Sequence, residues 1–274
     1  MENLVFVAEF AAVIVGMVLF AYLLEKLSRR KAGDEGSKER ILSTRRIAVI
    51  GMFSAMAAIL MLFEIPMPFA PSFYKLDFSE LPVLIGTFAF GPVAGVMIEF
   101  IKIILKLIIK GTTTAFVGEL ANFAVGCSFL LPASLVYMLK KTKKHAIIGC
   151  IAGTLVLTVF GTAFNAVYLL PKFAQLYGMP LEAIVGMGTA INPKITSVAT
   201  LVIFAVAPLN LIKGTLVSII TLLVYKTISP IIKKSNSFGI VFLHQRPIGF
   251  CRYAIACTST HKISCPGFCG LFLR

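Results

Sequence analysis

The chain has 274 residues, of which 58% are hydrophobic and only 14% charged, and its mean hydropathy is +0.93. Soluble domains are about half apolar and about a quarter charged, so this composition excludes them and specifies a polytopic membrane protein. The formal charge of +14 does not point to nucleic acid, because the basic residues lie in short stretches between apolar runs, a distribution that sets topology.

The first apolar run, Leu4 to Leu24, is long enough to span a bilayer, which takes about 20 residues. No small-residue cleavage site with a preceding basic region is present, so residues 1–24 read as an uncleaved N-terminal membrane helix with its amino end outside. Residues 25–44, with Gly33, Gly36, Ser37 and mixed charges, read as a flexible cytoplasmic linker. A second run, Ile47 to Phe63, carries Gly51 with Ala55 and Ser54 with Ala58 at four-residue spacing. Small residues so spaced let a neighbouring helix approach closely, either inside the chain's own bundle or on a partner.

After Glu64 the stretch "IPMPFAPSFYKLDFSELP" holds four prolines, at Pro66, Pro68, Pro71 and Pro82, and these forbid a continuous helix. With Phe69, Phe73, Tyr74 and Phe78 it reads either as a lid over a pocket or as an interfacial aromatic anchor. Leu81 to Phe90 and Val93 to Ile109 read as two helices meeting at a tight cytoplasmic turn at Gly91-Pro92. Glu99 and Lys102, three apart, are placed to pair inside the bundle, while Lys106 and Lys110 snorkel to the outer surface.

A helix from about Ala115 to Leu139 carries Glu119 and Asn122 near its outer end, where an acid and an amide must bond to neighbouring helices or line a cavity. "KKTKKH" marks a cytoplasmic turn, and Ala146 to Leu170 returns outward, with Asn165 near its outer end before Pro171. Lys172 to Lys194 reads as an irregular outer loop. The apolar residues from Ile195 to Ile228 exceed one span, so a partly helical surface segment, a break near Pro208 and a last span over Leu209–Ile228 are expected. Within that span Asn210 and Lys213 share a helix face; a lysine unpaired in a bilayer costs about 2.5–3.5 kcal/mol even on the lenient insertion scale, so it requires a polar partner, a wet cavity or a ligand.

Charge supports this topology: the proposed inner segments hold eight Lys and Arg (25–46), four (140–145) and three (226–234), against Lys75, Lys110, Lys172 and Lys194 outside. The same topology gathers Asn165, Asn210, Glu119, Asn122 and the aromatic loop on the outer side. Residues 235–274 lack clean periodicity and a spanning run, and form an atypical tail of no assigned role. Cys127 and Cys150 lie in apolar runs; Cys251, Cys257, Cys265 and Cys269, with His244 and His261, contain no CxxC pair, so no metal is assigned. There is no phosphate-binding loop, no H-E-x-x-H and no nucleophile–base pair, and the chain reads as a non-enzyme with a binding cavity of amides, one lysine and aromatic walls.

Four ordered motifs, "FYKLDFSELP" (73–82), "FGPVAGVMIEFIK" (90–102), "GELANFAVGCSF" (118–129) and "PLNLIKG" (208–214), resemble the riboflavin-specific substrate-binding subunit of energy-coupling factor (ECF) transporters. The resemblance covers about residues 45–234 and implies an all-α integral membrane protein, a six-helix bundle, here with the extra N-terminal helix. It implies one riboflavin, as transported ligand and not cofactor, held near the outer surface of a bacterial cytoplasmic membrane. Its partners are then a membrane scaffold subunit and two ATPases. The family's two asparagines and lysine match Asn165, Asn210 and Lys213, Tyr74, Leu76 and Phe78 fall in the lid, and Gly51, Ala55 and Ala58 become docking residues. On this reading Lys213 is compensated by the vitamin and needs no buried acid. Another vitamin, a membrane enzyme or a stand-alone carrier are the alternatives; the missing catalytic groups and paired intramembrane acids count against the last two.

Overall fold

In a computed structural model the described residues are helical almost throughout, because backbone groups in lipid must be satisfied within the segment. The structure describes residues 2–31 and 44–242 except Ser72, Thr113 and Ala115. Most of the expected linker, and the tail beyond 242, lie outside the described residues. The main unit is Met1–Ile232; of the second, Lys233–Arg274, the described part is the end of the last helix.

Helix α1 (Glu2–Lys31) runs seven residues past its expected end at Leu24. It packs on α4 and α5, with Ala21 buried and Met17, Val18 and Leu24 half-buried at the contact. Glu25 is fully buried: its Oε2 accepts the backbone N–H of Val93 at 3.3 Å, and Oε1 lies 3.9 Å from Arg46. An acid at a helix amino end is favoured by the dipole of that helix. Helix α2 (Thr44–Leu62) is followed by a short hairpin, β1 (Ile65–Pro66) antiparallel to β2 (Lys75–Leu76), which gives the proline-rich segment its only sheet pairing among the described residues.

Helices α3 (Glu80–Phe90) and α4 (Pro92–Lys110) meet at Gly91, with Pro92 opening α4 as expected. Helix α5 (Val117–Leu139) leads to α6 (Lys143–Phe164), whose first turn is capped by the Thr142 hydroxyl accepting from the His145 N–H. The α5–α6 pair is the most intimate in the bundle, and Gly149 and Gly153 allow it: a Cβ on either would come within 2.6 Å of the carbonyl oxygen of Ala133 or Phe129. In lipid, where close packing rather than water exclusion joins helices, this four-residue glycine spacing is a strong determinant.

Two sequence expectations are corrected beyond α6. The region read as an irregular loop over 172–194 is largely helical: one π turn (Asn165–Leu169) joins α6 directly to α7 (Leu170–Tyr177), Gly178 ends it in a left-handed conformation, and α8 (Leu181–Thr189) follows. The expected break near Pro208 is also absent. Helix α9 (Val198–Leu201) passes through a second π turn (Val202–Val206) into α10 (Ala207–Phe242) without interruption. In both places the π turn lies just before a proline, and its shifted backbone pairing, Leu170 N–H to Asn165 and Ala207 N–H to Val202, carries the helix past a residue that lacks an N–H.

Four segments are long and apolar enough to cross a membrane among the described residues, at Ala11–Ser28, Val117–Leu139, Lys143–Tyr177 and Val198–Val224. Two shorter apolar helices, Arg46–Leu62 and Glu80–Phe90, and the charged α4 pack beside them. The fold is therefore an all-α membrane bundle. Its core divides into a cluster under α1 to α5, one between α3, α5, α6 and α10 around Phe88, Phe129 and Leu157, and one beneath the hairpin around Tyr74, Phe173 and Leu209.

Candidate functional site

A cavity of about 320 Å³ opens where the hairpin loop, the end of α4, the start of α5 and the two π turns meet. That volume lies within the range of small-molecule sites, roughly 300–1,000 Å³. The structure brings Tyr74, Glu119, Asn122, Asn165, Asn210 and Lys213 together on its walls. Leu76 is buried and Phe78 half-buried, and neither lines it. Phe73, Phe173 and Tyr177 form an aromatic edge, with Phe73 and Phe173 in a T-shaped contact at 6.1 Å that ties the loop to α7.

Each polar wall has its own local cause. The π turn starts at Asn165, so its side chain projects into the bundle: Nδ2 donates to the Gly161 carbonyl at 2.7 Å and Oδ1 accepts from the Tyr74 hydroxyl at 3.0 Å. Burial pushes the Tyr74 phenol above its ordinary range, so it remains a donor. Asn210 packs over Gly161, where an added Cβ would meet Nδ2 at 2.6 Å and the amide would have to shift. The Asn210 Nδ2 is buried with no hydrogen-bond partner. At the α5 wall, Glu119 Oε2 accepts from the hydroxyls of Thr112 and Thr114 at 3.1 and 3.0 Å, in a loop where Phe116 is held at φ 69°.

Lys213 corrects a further expectation. It does not lack a buried acid: Nζ donates to Asp77 Oδ2 at 3.1 Å and lies 3.7 Å from Glu80 Oε1. Asp77 Oδ1 accepts both the backbone N–H of Ser79, at 2.9 Å, and the Ser79 hydroxyl. Burial by itself would raise the Asp77 carboxyl, but Lys213, Lys102 and the Ser79 bonds outweigh it and hold it well below the carboxylate range. The pairing extends inward: Lys102 bonds Ser79 and Glu80 at 3.2 and 3.1 Å and, as expected, Glu99 at 2.6 Å. Asp77, Ser79 and Glu80 are not singled out by the sequence, because "LDFSE" lies in a loop where carboxylates need no partner in the membrane.

At the cavity mouth Glu64 gathers Lys75 at 2.8 Å, Lys110 at 3.0 Å and Lys106 at 3.6 Å. Partial burial would raise the Glu64 carboxyl, yet the bonds from Lys75 and Lys110 and the charge of Lys106 lower it overall. Lys106 and Lys110 thus reach the outer rim, as snorkelling requires, but find a common carboxylate there.

The sequence profile of the family described as ECF transporter, substrate-specific component, matches residues 45–225. The chain belongs to this family. It is accordingly a substrate-binding component of a transporter, not an enzyme, and a multi-pass membrane protein. Among curated proteins it is similar to the riboflavin transporter RibU of Staphylococcus aureus (strain TCH60), 34% identical over 197 residues, which span 72% of this chain and 97% of that one. It is similar too to the riboflavin transporter FmnP of Bacillus subtilis (strain 168), 29% identical over 72% of this chain and 98% of the relative. A solved S component of a bacterial ECF transporter superposes with a TM-score of 0.54 at 35% identity, covering 69% of this chain and 98% of its own. Helix α1 precedes the segment that the ECF family profile matches.

Proposed function

We propose that this S component captures riboflavin in the cavity between Tyr74, Asn165, Asn210 and Lys213 at the outer face of a bacterial cytoplasmic membrane. It delivers the vitamin by docking on an ECF scaffold subunit served by two ATPases. The observation that carries the reading is the convergence of Tyr74, Asn165, Asn210 and Lys213, with Glu119, Asn122 and an aromatic edge, on one cavity of about 320 Å³. Riboflavin supplies carbonyls and ring nitrogens for amides and an ammonium, ribityl hydroxyls for Glu119 and Asn122, and a flat tricycle for Phe73, Tyr74 and Phe173. The relatives that bear the name riboflavin transporter support the choice of vitamin.

Docking fits the exposed face of α2. Gly51 and Ala55 are open to the surroundings with Met52, Met56 and Ile59, whereas Ala58 is 2% exposed and packs within the bundle. The surface offered to a partner helix is therefore centred on Gly51 and Ala55.

Purification in detergent followed by a visible spectrum tests the ligand. Yellow protein with quenched flavin fluorescence is expected, and Asn210→Ala should bind riboflavin about 5- to 100-fold more weakly. Colourless protein that ignores added micromolar riboflavin would sink the proposal.

A further inference from the structure

We infer that Lys102 is a positioning residue for vitamin capture: it stands behind the cavity wall and locks residues 77–80, on which the hairpin side of the cavity is built. The inference rests on the riboflavin reading and adds to it a residue that never meets the ligand. Lys102 is fully buried on α4, and neither it nor Ser79, Glu80 or Glu99 lines the cavity.

The hairpin segment supplies Phe73, Tyr74, Lys75 and Asp77 to the cavity wall and leads into Ser79, the residue before α3. Between β2 and α3 no ladder holds the backbone, so its course depends on what grips it from outside. Lys102 supplies the grip. Its Nζ donates to the Ser79 hydroxyl oxygen at 3.2 Å and to Glu80 Oε1 at 3.1 Å, and lies 2.6 Å from Glu99 Oε1, three residues back on its own helix. Ser79 passes the constraint on: its N–H and its hydroxyl both bond Asp77 Oδ1, which fixes the carboxylate that meets Lys213. Helix α5 abuts the same set, since a Cβ on Gly126 would strike the Glu99 carboxylate.

Cohesion alone does not call for charge here. Apolar residues of similar volume fill buried positions as well as an ionic set does, or better. An ammonium with three N–H donors, by contrast, selects one arrangement of the oxygens around it. The three neighbours of Lys102 are Ser79, Glu80 and Glu99, and two of them belong to the segment that carries the wall. A binding site keeps its geometry to within about 0.5 Å only when the residues behind it are locked in turn.

The test compares the full-length wild type with Glu99→Gln/Lys102→Met in lipid nanodiscs, by riboflavin fluorescence-quench titration, thermal melting and hydrogen exchange. The double variant removes one positive and one negative charge, so the buried set keeps its balance and the melting temperature should stay within about 4 °C of the wild type. Riboflavin affinity should nonetheless fall about 5- to 30-fold, from loss of the bonds to Ser79 and Glu80. Exchange should quicken in residues 73–80 while α6 stays as protected as before. Wild-type affinity in the double variant overturns the inference, and so does a loss of affinity with equal quickening in α6, which marks a general loss of packing. If the double variant does not fold, Ser79→Ala decides: it cuts the link from Lys102 to Asp77 by removing one hydroxyl and should weaken riboflavin binding about fivefold, and undiminished affinity overturns the inference. A wild type that binds no riboflavin overturns the riboflavin reading, and this inference with it.

Discussion

Lys213 shows how a buried cation is made tolerable before a ligand arrives. Its ion pair with Asp77 is largely withdrawn from solvent, with side-chain exposures of 11% and 9%. Removing one member of such a pair strands the other and costs about 3–5 kcal/mol, whereas replacing both by neutral groups is often close to neutral. Lys213→Ala should therefore melt at a clearly lower temperature than the wild type, and Asp77→Asn/Lys213→Met should recover most of that loss while still failing to bind riboflavin. Equal melting of wild type and Lys213→Ala would show that the pair carries no stability. This partner was the least legible part of the site. The sequence exposes Asn210, Lys213 and Asn165 because each is a polar residue inside an apolar span, but Asp77 lies in a loop, where a carboxylate needs no explanation. Only the approach of that loop to α10, across 136 residues of chain, turns Asp77 into an intramembrane partner.

At the level of elements, the spans themselves were legible from run length and the Gly91-Pro92 turn from its chemistry, while the course of the chain around its outer prolines was not. A proline normally ends a helix; here a single π turn before Pro171 and another before Pro208 keep the helices continuous and bring Asn165, Val206 and Asn210 to the cavity. No periodicity argument detects an inserted residue of that kind. The glycine spacing of α6 is testable: Gly153→Leu should force α6 away from the Phe129 carbonyl and lower the melting temperature far more than Gly51→Leu, whose position is open. The hairpin is tethered by Glu64, whose carboxyl is lowered in the folded protein. A group of that kind contributes stability above its ordinary value of 4.5 and loses it as the pH falls through its folded value. Hydrogen exchange of residues 65–76, corrected for intrinsic rates, should thus stay constant from about pH 8 to 5 and quicken only below the ordinary carboxylate value; quickening between pH 8 and 6 would assign the tether elsewhere.

For the whole molecule, the proposed function assigns capture and delivery to different surfaces, the cavity at the hairpin end and the exposed stripe of α2. Gly51→Trp with Ala55→Trp should leave riboflavin binding by the purified protein intact and abolish uptake by cells that carry the partner subunits; unchanged uptake would move the docking surface off α2. Helix α1 stands apart from both surfaces, yet its buried Glu25 accepts a backbone N–H from Val93, 68 residues later in the chain. That bond has a consequence for how the protein is made. At about 5–20 residues per second, Glu25 is synthesised roughly 3–14 s before Val93, so its acid must wait until α4 is made. The first helix synthesised is thus completed only when the fourth begins.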